Sequence, residues 1–311
     1  MENNEKNIEK VIILGSGPAG LSAALYAARA ELTPLVFTGT DIGGQAATTS
    51  IIENYPGFPD GVGGTQLADL FTKNAEKFGA RFEYDMVTSV DLTKRPFKLT
   101  TYGKEFYARS LIITTGASPN KLNVPGEKEL TGRGVSYCAT CDGWFFKNKK
   151  VAVVGGGDSA LEEGLFLTRY ASSVTIIHRR NELRAGALLQ KRAKENPKIF
   201  FIWDTVVEEI KGKDAVTSLK LRNVKTGEYS ELPVDGIFVF VGHSPNTALF
   251  QDSLALDERG YIRIDERMRT NIPGVFAAGE AADSHYRQVI TSAGMGAAAA
   301  IEATRFLENE E

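Results

Sequence analysis

The 311-residue chain has only two cysteines, three histidines and two tryptophans. The cysteines, Cys138 and Cys141, form a single CxxC. One such pair cannot staple a chain of this length, so a secreted disulfide scaffold is excluded. It also offers only two of the four ligands that structural zinc needs, and His178, His243 and His285 lie far off in sequence, so no metal site is expected. Neither sign of charge dominates: 36 Lys and Arg stand against 39 Asp and Glu, a net charge of −3. That leaves no electrostatic case for nucleic acid or an anionic membrane as partner. Long hydrophobic runs are missing as well. Residues 11–28 carry no charge, but Gly15, Gly17, Pro18 and Gly20 interrupt them, and a spanning helix needs roughly 20 mostly apolar residues. The start, MENNEKNIEK, lacks the cationic-then-apolar order of a secretory signal, and a cytoplasmic protein is expected.

Glycine, by contrast, is abundant: 31 of 311 residues, with only 11 prolines. This is above the usual ~7% and points to tight turns rather than a linker. Two segments look alike, KVIILGSGPAGLSAALYAARA (10–30) and KVAVVGGGDSALEEGLFLTRYA (150–171). Each predicts an apolar strand, a glycine turn and a helix with small residues on one face. A repeat of this kind suggests two copies of one domain type, as the length also does. Between and after them the pattern predicts helices at 67–78, 183–194 and 292–307. Strands are predicted at 81–90, 97–101, 110–117, 174–177, 199–203, 236–241 and 274–278, and 43–59 reads as loop. Linker-like stretches at 118–125 and 242–247 make the second copy an insertion in the first. The expected fold is α/β: two Rossmann-like (three-layer ββα) dinucleotide-binding domains, one of residues 1–118 with 248–311, the other of 119–247.

Gly15, Ser16, Gly17, Pro18, Ala19 and Gly20 fit GxGxxG between a strand and a helix. The first glycine permits the turn, the second lets backbone approach a pyrophosphate, and the third lets helix pack on strand. Unpaired N–H groups at the helix start then face the phosphate. The plainer alternative is a packing turn. The acidic ribose ligand expected about 20 residues on has no candidate at 36–38, and Asp41 comes late. Gly155, Gly156, Gly157, Asp158, Ser159 and Ala160 fit GxGxxA in the same setting. After the next strand comes His178-Arg179-Arg180-Asn181-Glu182-Leu183-Arg184. Where an NAD site places a carboxylate, this chain places arginines, which pair with a 2′-phosphate; the second site is expected to prefer NADP(H). A solvated basic turn is the alternative. Cys138 and Cys141, followed by Asp142, read as a reactive dithiol with a neighbouring acid–base group, against incidental surface thiols. Trp144 reads as a residue that packs this loop. A dithiol between two dinucleotide folds implies an electron route from nicotinamide through flavin to disulfide.

Together these motifs resemble the low-molecular-weight thioredoxin reductases of the bacterial and plant type. The likeness runs over about 10–307 and rests on GSGPAG, GGQ (43–45), ENYPG (53–57), TTGA (114–117), CATCDG (138–143), GGGDSA, HRRNELRA (178–185), GHSPNT (242–247), GVFAAGE (274–280) and YRQVITSAGMG (286–296). The resemblance implies that the split domain holds FAD on Gly15–Gly20, Gly44, Gln45, Asn54, Gly279, Glu280, Arg287 and Gln288. It implies that the inserted domain holds NADPH on Gly155, Gly157, Asp158, Ser159, His178, Arg179, Arg180 and Arg184. Cys141 would face the flavin, Cys138 would attack the disulfide of thioredoxin or a similar small dithiol protein, and Asp142 would carry the proton. The family is homodimeric and turns one domain on the other, with the two linkers as hinge. In one departure, Glu280 stands where the family usually has Asp. Three other classes compete. A flavin dithiol oxidase needs no NADPH, and the arginines weigh against it. A ferredoxin–NADP reductase of this fold lacks the CxxC. A non-catalytic flavin sensor needs neither Asp142 nor a complete nucleotide site.

Overall fold

The computed structural model describes residues 8–40, 42–49 and 51–310. Along the chain, β1 (Ile8–Leu14), α1 (Pro18–Arg29), β2 (Leu35–Phe37), α2 (Gly44–Ala47), α3 (Gly64–Lys77), β3 (Arg81–Glu83), β4 (Ser89–Asp91), β5 (Phe97–Thr100), β6 (Glu105–Ile113) and β7 (Ala117–Pro119) come first. Then follow β8 (Val135–Ser136), α4 (Ala139–Asp142), β9 (Lys150–Gly155), α5 (Asp158–Leu167), β10 (Ser173–Ile177), α6 (Ala187–Glu195), β11 (Ile199–Ile202), β12 (Thr205–Gly212), β13 (Val216–Asn223), β14 (Tyr229–Pro233) and β15 (Gly236–Phe240). The chain closes with β16 (His243–Pro245), β17 (Val275–Ala277) and α7 (Val289–Glu308). Among the described residues no helix is long and apolar enough to cross a membrane.

Two compact units result: the residues up to Ser118 together with those from Ser244 onward, and Pro119–His243. The return crossing lies a few residues before the expected 247/248. Asn246 is bound to Gly116 and Thr115, and Thr247 Oγ1 donates to the Gly260 carbonyl, which keeps that stretch in the first unit.

In the first unit the sheet order is β3-β2-β1-β6-β5-β4, with β17 beside β6. The strands β3, β2, β1, β6 and β17 are parallel, and β4 and β5 add antiparallel. In the second the order β11-β10-β9-β15-β8 is parallel throughout, and β12-β13-β14 form a separate antiparallel sheet. Successive residues of a strand face opposite sides, and a parallel sheet is covered on both. Accordingly Val11 and Ile13 join one core while Ile12 and Leu14 join another. The second copy repeats this with Val151 and Val153 against Ala152 and Val154.

Alanines make the close helix packing in the first unit. Ala19, Ala23 and Ala27 recur every four residues on α1, and with Ala299, Ala300 and Ala303 of α7 they share one core. The approach is tight enough that a β-carbon on Gly296 would sit 2.0 Å from the Ala19 carbonyl oxygen.

Several expected elements are corrected. The strand expected at 81–90 breaks into β3 and β4, because the Asp85 side chain accepts the Met86 N–H and turns the chain out of the ladder. The helix expected from 183 begins at Ala187, since the Arg184 and Ala185 N–H groups are spent on the Gly156 carbonyl. The 43–59 stretch contains the short helix α2.

Gly296→Ala should destabilise the first unit by about 1–3 kcal/mol, the range for overpacking a tight interface. Thermal unfolding of the variant checks this, and an unchanged midpoint would contradict the α1–α7 packing.

Candidate active site

In the first unit the glycine turn follows from backbone crowding. Gly15 has φ +112, and a β-carbon there would lie 2.3 Å from the Thr114 carbonyl oxygen. Thr114 completes the clasp, its hydroxyl donating to the Leu14 carbonyl at 2.8 Å. The TTGA motif marked Thr114 in the sequence but not this role, which depends on β6 lying beside β1. A β-carbon on Gly20 would meet Gly15 oxygen at 1.8 Å, whereas one on Gly17 would meet nothing within 4 Å. The turn is closed on its protein side and open at Gly17, at the N-terminus of a 12-residue helix with no acid in its first turn. That arrangement fits a dinucleotide pyrophosphate.

The Ser16 hydroxyl turns inward. It is buried, donates to the Thr38 carbonyl at 3.2 Å and accepts the Gly43 N–H at 3.3 Å. Its side chain therefore ties the first turn to the GGQ loop. Asp41, the late ribose candidate, lies outside the described residues. Gln45 Nε2 donates to the Ala117 carbonyl at 2.6 Å. Asn54 and Gln288, 234 residues apart, are brought together by a 2.9 Å hydrogen bond. Gln288 caps α7 in a reciprocal bond with Thr291. Gly279 has φ +67 and lies against Ala19. Glu280 follows, and burial pushes its carboxyl up while the Arg287 charge opposes that shift.

Asp283 is a further residue that the sequence reading missed. It is buried, and its two carboxylate oxygens accept the N–H groups of His285, Tyr286 and Arg287 at 2.8, 2.9 and 2.9 Å. Arg287 is held at φ +49. The only signal in the sequence was an Asp opening a polar turn.

The inserted unit carries a second cluster. Gly155 is crowded like Gly15: its β-carbon would lie 2.5 Å from the Phe240 carbonyl oxygen, and Gly157, like Gly17, is open. Asp158 Oδ1 accepts the Gly186 N–H at 2.7 Å, so this carboxylate anchors the loop that follows β10. Ser159 is exposed at the start of α5. His178 is buried at the base of that loop; burial holds its pKa below the usual range, and the charges of Arg184 and Arg179 add to this. Arg179, Arg180 and Arg184 are all exposed, open to a polyanion.

The CxxC segment sits on the same unit. Ser136 Oγ accepts the Cys138 N–H and donates to the Cys138 carbonyl, both at 3.1 Å, and the Asp142 N–H reaches that same carbonyl at 3.2 Å. The Cys138 sulfur is disulfide-bonded and lies 3.3 Å from Thr140 Oγ1. Cys141 belongs to α4, and its side chain lies outside the described residues. Just upstream, the Tyr137 hydroxyl donates to buried Glu127 at 2.8 Å, and burial with that bond pushes the phenol up to about 12. Glu127 also accepts the Leu122 and Asn123 N–H groups.

Trp144 does not pack inward. It is 65% exposed and Phe145 64%, their rings edge-on at 5.8 Å. Asp142 and Phe145 line a cavity of about 300 Å³ with Arg133, Ser136 and Lys149.

A family model described as pyridine nucleotide-disulphide oxidoreductase matches residues 9–296. The chain is 52% identical over 304 residues to a thioredoxin reductase of Streptomyces coelicolor, covering 97% of this chain and 94% of that one. It is 51% identical over 305 residues to a bifunctional thioredoxin reductase/thioredoxin of Mycobacterium leprae, covering 97% of this chain and 66% of that one. The crystal structure of a Lactococcus lactis thioredoxin reductase matches with a TM-score of 0.94 at 46% identity, covering 97% and 99% of the two chains.

Asp283→Ala should release the 284–288 turn. Each stranded N–H costs about 1–3 kcal/mol where it stays buried. Faster hydrogen exchange at 285–287 is the expected result, and unchanged protection would contradict the assignment.

Proposed function

The chain belongs to the pyridine nucleotide-disulphide oxidoreductase family and is an NADPH-dependent thioredoxin-disulfide reductase that uses FAD; from that premise we propose how its residues divide the work. The observation that carries the assignment is the CATCD turn on a dinucleotide fold whose nucleotide end presents three exposed arginines.

The split unit holds FAD. The open turn at Gly17 receives the pyrophosphate on the N–H groups of α1, and Pro18 and Ala19 form the helix start. Ser16 shapes this turn from within. Gly44, Gln45, Asn54, Gly279, Glu280, Arg287 and Gln288 would hold the rest of the cofactor. Bound FAD supplies a two-electron store between a hydride donor and a disulfide. Glu280 keeps a carboxylate at the end of β17 with one methylene more than the aspartate usual in the family, and Arg287 supports its charge.

The inserted unit holds NADPH, with the pyrophosphate at Gly155 and Gly157. Arg179, Arg180 and Arg184 pair with the 2′-phosphate, which a carboxylate in their place would repel. Buried His178 and anchored Asp158 fix the loop that presents them. Of the pair, Cys141 would be the sulfur that exchanges electrons with the flavin, Cys138 the one that attacks the substrate disulfide, and Asp142 the proton carrier. The attacking sulfur must be a thiolate. Trp144 and Phe145 offer the exposed aromatic surface suited to a protein partner beside that sulfur. The partner is thioredoxin, and the enzyme is read as a cytoplasmic homodimer.

Rapid-mixing absorbance tests the route: NADPH should bleach the flavin far faster than NADH, and oxidised thioredoxin should restore the colour. No bleaching by either nucleotide would refute it. Replacing Arg179 and Arg180 together by Ala should raise KM for NADPH by roughly a hundredfold or more and leave KM for NADH nearly unchanged, since each of the two lost charged hydrogen bonds costs about 1.5–3 kcal/mol. Equal effects on both nucleotides would place the 2′-phosphate elsewhere. Cys141→Ser should keep FAD bound and reducible by NADPH while abolishing thioredoxin reduction, and retained turnover would contradict its role.

A further inference from the structure

A second carboxyl group touches the redox motif. Glu163 projects from α5, which packs against α4, the short helix that carries the CATC turn. Its carboxylate accepts the backbone N–H of Ala139, the residue directly after Cys138. Its Oε2 is fully buried with no hydrogen-bond partner among the described residues. An ionised carboxylate with an unsatisfied buried oxygen is costly, and the protonated form costs much less. Burial, with the Glu162 charge adding to it, pushes Glu163 up to about 7. The elements packed against α5 carry Asp142 on α4, Lys191, Arg192, Lys194 and Glu195 on α6, and Lys150 on β9. The charge that acts on Glu163 is that of Glu162, from its own helix.

We propose that Glu163 is a positioning residue of the redox pair: it fixes the first turn of α4 through Ala139 and takes up a proton when the pair is reduced. The inference rests on the reading of Cys138 and Cys141 as that pair. Two electrons, delivered by the enzyme's own reaction with NADPH, break the S–S bond. One proton makes one sulfur a thiol, and the other becomes a thiolate. The new negative charge forms on the CATC turn against which α5 packs, so Glu163, where it is ionised, takes a second proton from solvent and the local charge stays constant. At pH 6 Glu163 is mostly neutral before the step. At pH 8 it is mostly ionised, and its charge opposes thiolate formation.

Glu163→Gln retains an acceptor for Ala139 but cannot titrate, while Glu163→Ala loses both. The test is the dithiol–disulfide equilibrium of each FAD-loaded enzyme against thioredoxin, from pH 6 to 8. Glu163→Gln should match wild type at pH 6 and favour the reduced pair roughly tenfold more at pH 8, the size of a charge–charge coupling in a partly buried site. Glu163→Ala should lower kcat with thioredoxin, leave KM for NADPH unchanged, and be rescued by Gln. An identical pH dependence in wild type and Glu163→Gln overturns the inference. Should Glu163→Gln fail to fold, infrared difference spectra of wild-type holoenzyme carrying ¹³C-glutamate decide. Reduction at pH 8 should add a protonated-carboxyl band shifted by the label, and no such gain overturns the inference. A wild-type enzyme unable to pass electrons from NADPH to thioredoxin would instead overturn the reading of the cysteines.

Discussion

Backbone meeting backbone at two glycine turns is the constraint on which the rest depends. At Gly15 and at Gly155 the chain leaves a central strand and passes within contact distance of a neighbouring strand's carbonyl, Thr114 in one unit and Phe240 in the other. No side chain fits in either gap. The left-handed backbone that results turns the next N–H groups outward and starts a helix at once. Each unit thereby obtains an anion-binding helix start beside a parallel sheet, and each then specialises through the loop after its second strand. After β2 the loop is tied down by Ser16 and Thr38. After β10 it is tied down by Asp158 and the Gly156 carbonyl, leaving three arginines in solvent.

The redox turn is held by a different kind of contact. Around Cys138 the polar groups are local and satisfied: Ser136 pairs with both backbone groups of Cys138, Asp142 closes the turn, and Tyr137 with Glu127 braces the approach. The surface beside it is apolar and exposed at Trp144 and Phe145. A rigid, polar-braced turn next to an aromatic face suits a sulfur that must stay in place while a protein docks and leaves. Glu163 departs from this pattern, because one of its oxygens is buried without a partner. Such a group is retained at a cost in stability, as is common for groups with a functional role.

The sequence by itself determined the twin strand–turn–helix units, since alternating apolar residues and glycine spacing are local properties that need no partner to be read. It also determined the chemistry at hand, the CATCD and HRRNELR runs, because those residues are contiguous. Only the tertiary structure decided what depends on distant segments meeting. It put the Asn54 amide on Gln288, turned the Ser16 hydroxyl inward, ended the expected 81–90 strand early and began the 183–194 helix late. It gave Thr114, Asp283 and Glu163 their roles through neighbours that sequence spacing does not reveal. Periodicity reports which face of an element is apolar, but a buried hydrogen bond or an orphaned carboxylate exists only once another part of the chain has excluded water from it.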